Sequence, residues 1–352
     1  GWECPVWFSD APTSEASSEA SCEAAAQSAV LFDLSASAKF GLFGPNAAAA
    51  IGKALTADVG VTSGAVRRSL MLTASGRVAA DVSVLCRSAE DYLVMGDVAR
   101  ATLIHERLRR IVEVTPGTVL VDQTSAFAVL GLAGPHSDAI LETVVEPGEW
   151  QADLAPGRGF ETIAAMAPVW VLRQLDSDVV RWTVHVPCDY AVTLWDAVWQ
   201  AGRDHGLVLG GRRALSWLHQ QAGQPIWGDD FSIETSPFEA GLENAIDLDP
   251  KRDFIGLDAL LAGQSKTPDM HFVKVISSDP AIRLSGQETI YLGEQRVGWT
   301  TSGGARQNGS AIATGYARLN GKNANGYAVD VRSKRVPVNI LPLTANGRNA
   351  DS

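Results

Sequence analysis

Asp81 is a carboxylate whose apolar setting could support chemistry. It lies in the apolar stretch Val78–Val82, inside a predicted strand–turn–strand segment, residues 69–84, that is hinged at Ser75-Gly76. Burial in such surroundings raises the pKa of a carboxyl group, and a buried carboxylate can relay a proton or stabilise a developing positive charge. The alternative is a solvated aspartate at the end of a strand.

The familiar catalytic and metal-binding signatures are absent from the sequence. There is no GxSxG elbow and no GxGxxG after a strand, and the four cysteines form no CxxC pair. No two histidines stand four residues apart, so we expect no metal site. The segment before Gly52-Lys53 has Ala47 where a phosphate loop needs glycine and Ala54 where it needs Ser or Thr.

Composition excludes several classes of partner. The 352 residues carry 29 basic and 40 acidic side chains, a net charge of −11, which argues against nucleic-acid binding. The apolar run 126–132 is much shorter than the roughly 20 residues of a spanning helix. The N-terminus shows no signal peptide. We therefore expect a cytoplasmic protein with reduced thiols and no membrane partner.

The elements that must position Asp81 include an internal repeat. The segment DLSASAKFGLFGPNAAAAI from Asp33 resembles DQTSAFAVLGLAGPHSDAI from Asp122: each has an aspartate, a small polar cluster, an apolar strand, Gly-Pro and a helix. Asn46 is the predicted N-cap of the first of these helices. Two similar units predict two related α+β halves.

The rest of the chain changes character towards its end. A helix is predicted over Gly211–Ala222 and ends at Gly223, a residue suited to a left-handed helix stop. From His271 onward, short strands alternate with glycine-rich turns, which predicts an all-β region. The segment Ala262–Asp269 is the predicted domain boundary, and the tail after Pro342 is predicted to be disordered.

A series of motifs resembles the glycine-cleavage aminomethyltransferase (T-protein) family. They follow the family's order and cover nearly the whole chain: GWECPVWF, DLSASAKFGLFGPNA, SGRVAADVSVL, DQTSAFAVLGLAGP, QAGQPIWGDD, SPFEAGLENAIDLDPKRDFIGLDAL and RVGWTTSGGARQNGSAIATGYA. The first motif and the AKF strand look most like the folate domains of dimethylglycine and sarcosine dehydrogenases. No flavin-binding half is present in this sequence.

This resemblance implies a fold and an activity. The implied fold is an α+β, three-domain cloverleaf, with two intertwined ferredoxin-like halves over residues 1–265, a β-barrel over residues 270–342 and a tail, residues 343–352. Tetrahydrofolate would occupy the central hole and receive a one-carbon unit at N5. The implied function is a tetrahydrofolate-dependent demethylase that takes a methyl group from a small N-, O- or S-methyl donor; the oligomeric state stays open.

The resemblance also implies site residues, several of which depart from the family. Asp81 matches the acidic residue that points at the reacting centre. Arg68 replaces a tyrosine, and Thr183 replaces the glutamate that holds the pterin ring by paired hydrogen bonds, which threonine cannot reproduce. The other positions assigned to the folate pocket are Met95, Asp176, Trp182, His219 and Phe254.

Two alternatives follow from these departures. The first is a non-catalytic binding or assembly module on the same scaffold. The iron–sulfur assembly relatives carry a Lys-Gly-Cys-Tyr-x-Gly-Gln signature, whereas this chain has KRDFIG from Lys251. The second is an enzyme that has exchanged folate for another ligand, with Arg68, Trp182 and His219 forming the new pocket.

Overall fold

The fold comes from a computed structural model that describes residues 3–8, 13–146, 154–175, 179–263, 268–279, 281–319 and 326–343. The chain divides into two compact units. The sheet unit comprises Gly1–Met71, Ala80–Ala214 and Asp247–Ile255, and the barrel unit comprises Leu72–Ala79, Leu215–Ile246 and Gly256–Ser352. The predicted boundary at residues 262–269 stays a prediction, and most of the predicted tail lies outside the described residues.

An 11-stranded sheet dominates the sheet unit, with the order β11-β1-β7-β10-β9-β8-β3-β4-β5-β2-β6. Its strands are β1 (Ala29–Asp33), β2 (Ala38–Phe43), β3 (Ala65–Leu72), β4 (Val78–Ser88), β5 (Asp91–Gly96), β6 (Val119–Asp122), β7 (Phe127–Ala133), β8 (Arg158–Ala164), β9 (Ala167–Arg173), β10 (Trp182–Pro187) and β11 (Leu207–Gly210). The helices are α1 (Ser14–Gln27), α2 (Ala47–Ala54), α3 (Ala101–Glu113), α4 (Ser137–Val144), α5 (Ala191–Gly202), α6 (Arg212–Ala222), which continues into the barrel unit, and α7 (Leu257–Gly263) of the barrel unit.

The predicted repeat is present, and its two copies exchange strands. Strand β1 leads into β2 and α2, and strand β6 leads into β7 and α4 in the same order. However, β1 pairs antiparallel with β7, while β6 pairs antiparallel with β2. Each leading strand therefore belongs to the other copy's part of the sheet, which confirms the intertwined α+β halves.

The backbone angles of the two Gly-Pro turns require glycine in both copies of the repeat. Gly44 has φ +117° and Gly134 has φ +98°. A Cβ atom on Gly44 would lie 2.1 Å from the carbonyl oxygen of Gly117, so any other residue is excluded sterically as well as by its backbone angle. Asn46 is the N-cap residue of α2, as predicted, but its side chain makes no capping hydrogen bond and donates instead to the carbonyl of Pro116 at 2.7 Å.

Alternation along the strands separates the two faces of the sheet. On β4 the residues Ala80, Val82 and Val84 pack in a core with side chains of α2 and α3. The equivalent core of the second half includes residues of β7, β9 and β10 together with α4 and α5. Successive strand residues point to opposite faces. Asp81 therefore lies on the opposite face, which we call the helix-free face because the buried cluster on the Asp81 side is built only from residues of β3, β4, β5 and β9.

The start of β2 lies close to β10. Lys39 on β2 and His185 on β10 are far apart in strand order, yet the charge of Lys39 acts on the imidazole of His185. Lys39 is 0% exposed and His185 is 4% exposed. The segment before β2 is tied to β7, the neighbour of β10, because the backbone N–H of Leu34 donates to the carbonyl of Val129 at 2.9 Å and that of Val129 donates to Ser35 Oγ at 3.1 Å.

The barrel unit contains the predicted all-β region. Six antiparallel strands close into a barrel in the order β12-β15-β14-β13-β16-β17. They are β12 (His271–Ser277), β13 (Thr289–Leu292), β14 (Gln295–Gln307), β15 (Ser310–Ala317), β16 (Tyr327–Val331) and β17 (Lys334–Pro342). Closure pairs β12 with β17, so this barrel leaves no open strand edge. The predicted strand-rich end is confirmed, as is the left-handed stop at Gly223, with φ +73°.

Candidate functional site

Arg68 and Asp81 form a bidentate ion pair on the helix-free face. The Arg68 Nε donates to Asp81 Oδ1 at 3.1 Å, and an Nη donates to Oδ2 at 2.5 Å. Their side chains are 24% and 19% exposed, so the pair is partly shielded from water. Two parallel charge-assisted hydrogen bonds fix the plane of the carboxylate. Asp81 is therefore neither a solvated strand-end residue nor a carboxylate surrounded only by apolar groups.

Sequence reasoning singled out both residues but missed their pairing. Arg68 was assigned to the pocket at the position of the family's tyrosine, and in the structure it binds the carboxylate of Asp81. The signal was present, because strands β3 and β4 are neighbours on either side of the Ser75-Gly76 turn. Opposite charges on neighbouring strands and the same face are within reach of one another.

A second polar group lies on β10, around Thr183. Gln174 Nε2 donates to Thr183 Oγ1 at 2.7 Å, and Thr183 Oγ1 lies 3.4 Å from Nε2 of His185. Thr183 is 7% exposed, and His185 Nδ1 has no hydrogen-bond partner among the described residues. Sequence reasoning missed His185. Its position two residues after Thr183 on one strand, which puts both on one face, was the available signal.

His185 is held neutral. Burial lowers its pKa to about 3, and the positive charges of Lys39 and Arg87 act in the same direction. Lys39 is itself buried, which lowers its pKa to about 8, and its ammonium donates to the carbonyls of Ser35 at 2.9 Å and Ser37 at 2.6 Å. The inner part of the helix-free face thus combines a neutral imidazole with nearby positive charge.

This environment predicts a pH dependence of stability. The folded-state pKa of His185 lies below its ordinary value of 6.5, so the unfolded chain binds the extra proton. The contribution of neutral His185 to the free energy of unfolding is complete above about pH 6.5. It is lost as the pH falls towards 3, by up to about 1.4 kcal/mol per pH unit. We expect the wild type to lose about 2 kcal/mol more than His185→Phe between about pH 7 and pH 5. Urea unfolding measures this, and equal losses would contradict it.

Apolar side chains occupy the same face between the two polar groups. Met95, one of the predicted pocket residues, is 8% exposed and packs with Val66, Leu93 and Leu172. Trp170 packs against this cluster and lies opposite His185 in the register of β9 and β10. Indole and thioether groups provide a flat, polarisable surface suited to a planar ring.

Trp182 differs from the prediction. It alternates with Thr183 on β10, so its ring points into the helix-covered core, where it is 0% exposed. Its indole Nε1 donates to Oδ1 of Asp138 at 2.6 Å, and the guanidinium of Arg173 lies 5.8 Å from its ring. These surroundings leave no exposed ring for a ligand, so they do not support the predicted pocket role.

The other predicted pocket residues are Phe254, His219 and Asp176. Phe254 is 6% exposed and lies under the guanidinium of Arg252, which in turn donates to backbone carbonyls, including that of Leu55 at 2.9 Å. His219 is half-buried on α6, in the barrel unit. Asp176 lies outside the described residues. The roles predicted for these three positions stay predictions.

The strands of this site belong to a part of the chain that matches a protein-family model. The model of the GCVT N-terminal domain matches residues 1–250. The chain belongs to this family. The match includes the strands that carry Arg68, Asp81, Thr183 and His185. Within the described part of the GCVT-family chain, no group of three or more His, Cys, Asp or Glu side chains is placed to hold a metal ion, and no helix is long and apolar enough to cross a membrane.

Individual relatives of this GCVT-family chain include enzymes of two kinds. It is 29% identical over 320 residues to a 4-methylaminobutanoate oxidase (formaldehyde-forming) of Paenarthrobacter nicotinovorans, covering 90% of this chain but only 38% of that protein. It is 26% identical to an aminomethyltransferase of Saccharopolyspora erythraea, covering 99% of this chain and 94% of that protein. Glycine cleavage system aminomethyltransferase T of Bartonella henselae shares the fold, with a TM-score of 0.83, 20% identity and coverage of 98% and 93%.

Proposed function

We propose that this protein is a one-carbon transferase that moves a methyl group from a small N-, O- or S-methyl donor to N5 of tetrahydrofolate, in the cytoplasm. The observation that carries the proposal is the Arg68–Asp81 pair, which holds an oriented carboxylate on the helix-free face. Membership of the GCVT family and similarity to aminomethyltransferases support the choice of folate as acceptor.

The residues present fit a pterin ring. The orphaned Nδ1 of His185 provides a buried polar atom that a ligand would satisfy, and Thr183 lies beside it. Met95 and Trp170 provide an apolar surface on the same side of the sheet. A planar ring with a polar edge matches this combination of groups.

The chain's own groups have separable tasks in the transfer. Tetrahydrofolate supplies the N5 amine that accepts the carbon. In the transfer, the bond between the methyl carbon and the donor heteroatom breaks and its electron pair stays with the heteroatom, while N5 releases a proton. Asp81 stabilises positive charge at the reacting centre or relays that proton. Arg68 is a positioning residue, because it acts through the carboxylate.

Two measurements test the proposal. Isothermal titration should detect tetrahydrofolate binding by the purified protein. Three donors represent the N-, S- and O-methyl classes: glycine betaine, S-methylmethionine and 4-methoxybenzoate. Mass spectrometry should then detect 5-methyltetrahydrofolate when the protein is incubated with one of them. No binding at high micromolar tetrahydrofolate would refute the proposal, whereas binding without product from any donor would refute the transfer step for these classes.

A second candidate is an enzyme on this fold that uses a ligand other than folate. It is favoured by the neutral Gln174–Thr183 hydrogen bond at the position where the resemblance implies a carboxylate. This candidate predicts that Asp81→Asn abolishes activity while tetrahydrofolate neither binds nor competes. A mass for whatever co-purifies with the protein would decide between the two.

A further inference from the structure

The strongest unassigned feature of the helix-free face is the group formed by Gln174, Thr183 and His185. It is neutral, its Thr183 and His185 side chains are buried, and it ends in a nitrogen that has no partner among the described residues. A buried polar atom without a hydrogen bond is costly, by roughly 1–3 kcal/mol in stability or affinity when a partner is removed. Such an atom in a native protein therefore requires an explanation, and a hydrogen bond to a bound ligand is one.

The hydrogen-bond network assigns the direction of this missing bond. Gln174 donates to the hydroxyl oxygen of Thr183, which leaves the hydroxyl hydrogen to be donated onward. We assign this hydrogen to Nε2 of His185, which lies 3.4 Å from the hydroxyl oxygen, so that Nε2 is the acceptor. In a neutral imidazole the other nitrogen then carries the hydrogen. His185 Nδ1 is therefore a donor, and its partner must be an acceptor.

The surrounding charge agrees with an acceptor. The two charged groups that act on His185 are Lys39 and Arg87, and both are positive. The Lys39 ammonium is held by carbonyls of the loop before β2, and Arg87 pairs with Asp91 at 2.7 Å. An electron-rich oxygen or ring nitrogen is stabilised in this field, whereas a donor group would meet both the N–H and the positive potential.

We propose that His185, oriented by Thr183, holds the ligand's ring through a hydrogen-bond acceptor, which for a pterin is the 4-oxo group, in place of a carboxylate that takes the ring's donor edge. The inference rests on the proposed function for the identity of the ring. His185 is then a specificity-determining residue, and Gln174 and Thr183 orient it. The recognition surface has changed from an anion that accepts hydrogen bonds to a neutral group that donates one.

Ligand exchange provides the test, since replacing the exocyclic group at position 4 of the ring reverses the polarity of the contact made there. In 4-amino-4-deoxytetrahydrofolate an amino donor replaces the 4-oxo acceptor. Isothermal titration of the wild type should show tetrahydrofolate binding at least about 10-fold tighter than the 4-amino analogue, as expected for one buried hydrogen bond lost. Equal affinities would overturn the inference without requiring any variant.

Two substitutions then locate the effect. His185→Phe keeps a buried ring but removes the donor. It should weaken the binding of tetrahydrofolate, so that the preference for tetrahydrofolate over the 4-amino analogue falls to within about 3-fold. His271→Phe is the matched control, because His271 also has a Nδ1 without a partner among the described residues but belongs to the barrel unit. Persistence of the full preference in His185→Phe would overturn the inference. A wild type that binds neither ligand would instead refute the proposed function.

Discussion

Asp81→Asn is expected to lower the rate of methyl transfer to tetrahydrofolate by about 100-fold or more, which is the size of effect seen when one preorganised electrostatic group is removed from a reacting centre. The substitution keeps the shape of the side chain and removes its charge. Because Asp81 is assigned to the reacting centre and not to the ring, the affinity for tetrahydrofolate should change by less than about 3-fold. Mass-spectrometric rates with the active donor of the panel, and isothermal titration, measure the two quantities.

The structure offers a matched control for this substitution. Asp138 makes the same bidentate pair with Arg181, with both N–O distances at 2.7 Å, but it lies on α4. Asp138→Asn should therefore cost stability without a comparable loss of transfer rate. If both variants lost transfer equally, or if Asp81→Asn kept more than half of the wild-type rate, the role assigned to Asp81 would be wrong.

Substitution of Arg68 distinguishes a role in positioning the Asp81 carboxylate from a purely structural role. Arg68→Lys keeps the positive charge but replaces a planar fork with a single ammonium, so the carboxylate loses its fixed orientation. A positioning residue changed in this way lowers kcat while leaving the KM for the donor nearly unchanged. A merely structural pair would instead show reduced stability with normal kinetics, which thermal unfolding measured beside the kinetics distinguishes.

The fold was predictable where local pattern and global arrangement agree. The Gly-Pro repeat, the strand-rich end and the helix stop at Gly223 each depend on backbone rules that a short segment carries within itself. The exchange of β1 and β6 between the halves was implied by the resemblance but could not be read from the segments. Pairing between distant strands depends on contacts across the chain, which local residue preferences do not specify.

The site was predictable in part, for a related reason. Asp81 and Thr183 were found because their positions match motifs, and both lie on the helix-free face. Trp182 was assigned to the pocket because it neighbours Thr183 in sequence, although neighbours on a strand face opposite sides. His185 went unnoticed for the converse reason: its significance depends on burial and on the charge of Lys39, which comes from a distant strand.

Trp182→Ala is expected to destabilise the protein by about 3–5 kcal/mol, the usual cost of removing a large buried aromatic side chain. The indole is 0% exposed and packs in the core formed by β7, β9 and β10 with α4 and α5. Truncation leaves a cavity among these elements and removes the hydrogen bond to Asp138, whose carboxylate Arg181 still satisfies. Urea unfolding monitored by circular dichroism measures the loss.

Trp182→Phe separates this core role from ligand binding. Phenylalanine retains much of the apolar volume and loses the indole N–H, so stability should fall by less than in Trp182→Ala while tetrahydrofolate affinity stays within about 2-fold of wild type. Trp299→Ala is the matched control for truncation, because Trp299 is 50% exposed and should cost less than about 1.5 kcal/mol. If Trp182→Phe folded stably but lost much of its affinity for tetrahydrofolate, the predicted ligand-binding role of Trp182 would hold after all. A ring that acts only in the core should change stability and leave this affinity unchanged.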